Sequence, residues 1–170
     1  MSEAASEPES GRDVSEKGAE VFFYHMTRTP LEGTLPILLQ KSLDAGWRVC
    51  VRGQNIERLQ RLDEILWTGA EEGFLPHGLA GGAHDADQPI LLTTSTEALN
   101  IPNALISVDG AEVNEADMTG LTRVSVLFDG NDADAVAHAR AQWKSVVAAG
   151  CVAKYWSQED GPWAMKASSA

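Results

Sequence analysis

The chain has 170 residues, 44% of them hydrophobic and 22% charged, a composition that suits one globular domain and excludes a wholly disordered, fibrous or repeat protein. Twenty-five acidic residues against 13 basic ones leave a formal net charge of −12, which weighs against broad binding to a phosphate backbone. Screening confines each charge to about 10 Å at ordinary salt, so a local basic pocket can still capture one anion. Cys50 and Cys151 lie far apart and belong to no Cys-x-x-Cys pair. With no apolar leader and no apolar run long enough to span a bilayer, the expectation is a soluble protein of the reducing cytoplasm that does not enter membranes.

Residues 1–19 are rich in Ser, Glu, Gly and Ala without apolar periodicity, and are expected to form a disordered tail ahead of a single domain over 20–166. Val21-Phe22-Phe23-Tyr24 reads as a first buried strand. From Thr34, a candidate N-cap, Leu35, Leu38, Leu39 and Leu43 fall at helical spacing until Gly46. Trp47 to Val51 reads as a second strand, and Asn55 to Trp67 as a helix with Ile56, Leu59, Leu62, Ile65 and Leu66 on one face. This βαβα order predicts a parallel sheet with right-handed crossovers.

The glycine-rich stretch from Thr68 to Gln88 reads as one long loop, of the kind that is usually functional or mobile. Pro89–Thr93, Ala104–Val108 and Thr122–Phe128 read as further strands. Asp132 to Ala149 predicts the last helix, with Asp132 and Asp134 at its positive end and Gly150 closing it. Cys151 to Trp156 is expected as a strand or docked segment, and the residues after Pro162 are expected to fray. The sum is an α/β fold, a doubly wound three-layer αβα sandwich with a mostly parallel sheet.

Motifs for chemistry are missing. No Gly-x-Gly-x-x-Gly follows the first strand, no Gly-x-x-x-x-Gly-Lys-Ser/Thr occurs, and Gly81-Gly82 opens no convincing helix. His77, His84, Asp85 and Asp87 match no established metal spacing and read as a polar loop. His25 and His138 have no nucleophile suggested by local sequence, and Ser42, Ser107, Ser125 and Ser145 lack a Gly-x-Ser-x-Gly elbow. A triad assembled across the fold stays open. No catalytic residue, metal ligand or cofactor is assigned.

Leu66-Trp67, then Phe74-Leu75-Pro76-His77-Gly78-Leu79-Ala80-Gly81, then Gln88-Pro89-Ile90-Leu91-Leu92 resemble, in that order, the central segments of the DNA polymerase III chi subunit family. Ala139-Arg140-Ala141-Gln142-Trp143-Lys144, ahead of Gly150, resembles the family's C-terminal helix. The resemblance covers residues 20 to about 156 and implies a Rossmann-like fold with no catalytic role and no direct nucleic-acid binding. It further implies two protein contacts: the clamp loader, through its psi subunit or an equivalent, and the acidic C-terminal tail of single-stranded-DNA-binding protein.

By this resemblance the tail pocket falls on Arg140, Trp143 and Lys144. Their i, i+3, i+4 spacing puts a guanidinium, an aromatic wall and an ammonium on one helical face, suited to a terminal carboxylate and a terminal aromatic ring. An ordinary amphipathic helix with Trp143 in the core accounts for the same pattern from sequence alone. One turn upstream, where other members of the family carry a lysine, this chain has Val136. The clamp-loader surface falls on Trp67, Phe74, Leu75 and Pro76, although Trp67 in isolation reads as core. A competing reading is a small nucleotide- or metal-binding enzyme using the 68–88 loop.

Overall fold

Strand β1, Glu20–Met26, alternates as a half-buried strand should: Val21 and Phe23 are fully buried on one face, while Phe22 and Tyr24 on the other are half-buried. The computed structural model describes residues 18–68, 75–97, 99–159 and 161–169. Phe74 and most of the expected N-terminal tail lie outside the described residues. Ala19, placed at the end of that tail, is buried and donates its N–H to the Met118 carbonyl at 2.6 Å.

Helix α1, Leu31–Asp44, starts one turn before the expected Thr34. Pro30 stands at its N-cap, and proline's fixed φ suits the start of a helix, so Thr34 falls inside, buried. Leu31, Leu35 and Leu39, four residues apart, form the buried stripe. Strand β2, Val49–Arg52, is buried throughout. Helix α2, Ile56–Thr68, is capped by Asn55, whose side-chain oxygen accepts from the N–H groups of Glu57 and Arg58.

The stretch expected as one loop contains strand β3, His77–Leu79, and a 3-10 turn at Asp85–Asp87. A short strand breaks no apolar alternation that a sequence reading can see. Glycine has a specific use there: a Cβ on Gly78 would stand 2.9 Å from the Gln88 side chain. Strands β4, Ile90–Thr93, and β5, Ala104–Ser107, are also wholly buried. Helix α3, Glu115–Gly120, is too short to show periodicity and is set by a capping box between Asn114 and Asp117. Strand β6, Arg123–Asp129, leads to helix α4, Ala133–Ala148, which Asp132 caps.

Strand β7, Ala153–Ser157, follows. The chain then forms β8, Ala164–Ser168, where fraying was expected. Main-chain pairing supplies what apolar content does not: β8 runs antiparallel to β7, and the Ser169 N–H reaches the Ala153 carbonyl at 2.8 Å.

Among the described residues the sheet order is β3-β4-β2-β5-β6-β1-β7-β8, all parallel except β8. One apolar core lies between the sheet and α1 and α2, and a second between the sheet and α3 and α4, which makes the fold a Rossmann-like three-layer sandwich. At the end of β2, Arg52 is 2% exposed and holds four segments together. Its guanidinium donates to the carbonyls of Ser95, Thr96 and Glu112 and to both carboxylate oxygens of Asp117, at 2.6 to 3.3 Å.

Candidate functional site

Helix α4 buries Ala139, Gln142 and Val146 against the sheet and turns Arg140 and Lys144 to solvent. Trp143 lies between these two sides, half-buried. Its ring centroid is 5.4 Å from Phe23 and 6.0 Å from Tyr155, so the indole is both core and wall. Arg140 and Lys144 make no ion pair among the described residues. Val136 packs against the α4-side core, so a longer charged side chain there would have to leave that contact.

Two residues that sequence reading did not single out for this surface complete it. Tyr155 on β7 bonds through its hydroxyl to Nδ1 of His25 at 2.7 Å. Burial pushes the Tyr155 phenol up, and the positive charge of Arg140 opposes that shift. His25 lies beside Phe128, centroids 5.2 Å apart, and against Gly130, where any side chain would collide with the imidazole. No local spacing announces Tyr155 or His25, which are 130 positions apart and meet only because β1 and β7 are neighbours.

On the far side of the sheet Trp67 is 52% exposed at the end of α2, with its ring 4.5 Å from that of His77. His77 is buried, its Nδ1 2.6 Å from the Leu75 carbonyl and its Nε2 3.2 Å from the Asp63 carboxylate. His77 is therefore part of the framework, while His84 is exposed. Leu75 is buried in the α1–α2 core and Pro76 is half-buried.

A cleft of about 800 Å³ opens at the carboxyl ends of β1 and β6, away from the 68–88 stretch. Several of its charged groups are held by the chain itself. Arg58 bridges Glu32 at 2.7 Å and Asp109 at 3.2 Å, and Arg28 donates to the carbonyls of Gln158 and Glu159. Burial pushes the Glu32 carboxyl up, but a backbone N–H and the hydrogen bond and charge of Arg58 together outweigh it and hold the carboxyl below its ordinary range. Asp132 is occupied as the cap of α4. No cluster of three or more metal-ligating side chains occurs among the described residues.

Residues 19–154 match the family described as DNA polymerase III chi subunit, HolC. The chain belongs to that family. The match runs from the start of β1 into β7 and leaves β8 outside it. No curated protein matches the chain. Family membership makes the chain an accessory subunit in DNA replication with a partner in the DNA polymerase III holoenzyme. No described helix is long and apolar enough to cross a membrane.

Proposed function

We propose that this chi-family chain is a non-catalytic cytoplasmic adaptor, a single domain over 20–166, that joins the clamp loader to single-stranded-DNA-binding protein by gripping the latter's acidic C-terminal tail. The observation that carries this reading is the α4 face, where Arg140 and Lys144 stand exposed one turn apart beside a half-buried Trp143. On a protein of net charge −12, two adjacent cations without acidic partners among the described residues make a local attraction for a carboxylate. The guanidinium of Arg140 is planar and bidentate, which suits a terminal carboxylate, and Trp143 with Tyr155 offers an aromatic wall to a terminal ring.

The clamp-loader contact is assigned to Trp67, Phe74, Leu75 and Pro76, and its occupant to psi or an equivalent subunit. An exposed tryptophan backed by rigid core is the usual form of a binding hot spot, and that supports the assignment. Fluorescence anisotropy of an acidic peptide ending in Pro-Phe with a free carboxylate tests the tail site. Binding that weakens with salt and with Arg140→Ala is expected; binding indifferent to Arg140→Ala sinks it.

A further inference from the structure

The α1–α2 side of the sheet is unevenly covered. Helix α1 lies over β2 and β6, while Phe22 on β1 and Trp156 on β7 are only half-buried. Phe22 is the lateral neighbour of Lys154, and Tyr24 of Trp156, so these side chains share one face. Met165 on β8, opposite Trp156, extends that face and is 50% exposed.

Cations stand at the amino end of this apolar floor. The Arg123 guanidinium lies 4.0 Å from the Phe22 ring and 5.3 Å from that of Trp47, and the Lys154 ammonium lies 5.6 Å from Phe22. Glu20 reaches both cations, at 3.3 and 3.8 Å, leaving one net positive charge. Nε of Arg123 and the indole N–H of Trp156, buried on the same face, find no acceptor among the described residues.

From this geometry we infer a second docking surface, centred on Phe22, Trp156, Arg123 and Lys154, that takes an acidic amphipathic helix from another subunit of the DNA polymerase III holoenzyme. Trp163 already covers Tyr24 edge-on, at 5.4 Å between ring centroids, so an apolar helical face would lie beside it over Phe22, Trp156 and Met165, and its carboxylates would meet Arg123 and Lys154. Single-stranded nucleic acid is the other chemistry that stacks on aromatic residues of an open sheet face. Glu20 between the two cations, and the overall charge, favour the peptide.

The test is an array of overlapping peptides tiled through the organism's DNA polymerase III holoenzyme subunits, probed with the full chain. Retention of acidic peptides with helical apolar spacing is expected, falling roughly tenfold or more in Lys154→Glu or Arg123→Gln and unchanged in Arg140→Ala. Circular dichroism checks each variant's fold, and Lys154→Glu, on a residue already a third exposed, decides the matter if Arg123→Gln unfolds. Three results overturn the inference: no acidic peptide is retained, retention ignores Lys154 and Arg123, or it depends on Arg140. Binding of an oligothymidine that either patch variant abolishes, with no peptide bound, overturns it in favour of nucleic acid.

Discussion

Arg52 and Arg140 show two uses of the same side chain. At the end of β2, Arg52 is enclosed, and all its bonds run to the chain's own carbonyls and to Asp117. On α4, Arg140 stands in solvent beside Trp143, its charge felt at the Tyr155 hydroxyl and matched by no carboxylate among the described residues. A cation satisfied from within holds loops in place; one left without a partner is available to another molecule. Arg28 and Arg58, at the strand-end cleft, belong with Arg52.

That contrast is broken most severely by removing half of the buried pair. Asp117→Ala leaves the Arg52 guanidinium without its counter-charge and is expected to cost about 3–5 kcal/mol in urea unfolding. Cys50, two residues earlier, gives an independent reading: burial pushes its thiol up to about 11, so it should resist labelling in the native wild type and label readily where the variant opens that strand. Gly130→Ala should come next, at roughly 1–3 kcal/mol, because the added methyl meets the His25 ring, and Tm would report it.

Arg140→Ala sharpens the comparison from the opposite side. Its effect on unfolding should stay within about 0.5 kcal/mol, as for an exposed surface position. Tail-peptide affinity should nevertheless drop on the order of tenfold, read by anisotropy. The smallest effect belongs to Glu32. Its folded-state carboxyl titrates below the ordinary 4.5, so its pairing with Arg58 stabilises fully above that value and is lost as pH falls through the depressed one. Both groups are about a third exposed, so solvent screening keeps the gain small, and a Glu32→Gln variant should show a slightly flatter acid limb in stability against pH.

The layers of the fold were readable because buried parallel strands are continuous apolar runs and the covering helices carry a leucine stripe, as Val49–Val51 and Leu35–Leu39 do. β3, α3 and β8 escaped because each is short and fixed by backbone pairing or a cap rather than by apolar spacing. The α4 cluster was legible as a helical triplet, since Arg140, Trp143 and Lys144 are near neighbours in sequence. Its companions Tyr155 and His25 were not, because strand order joins them and no single-sequence pattern encodes strand order. Likewise, Trp67 taken in isolation reads as core, because aromatic residues mostly bury, whereas it stands 52% exposed.

Calorimetric titration of the full chain with one acidic tail peptide in two forms, a free C-terminal carboxylate and its amide, addresses the adaptor reading most directly. Measurable binding of the free acid, much weaker binding of the amide, and no difference between the two forms in Arg140→Ala is the predicted pattern. Equal binding of acid and amide by the wild-type chain would contradict it.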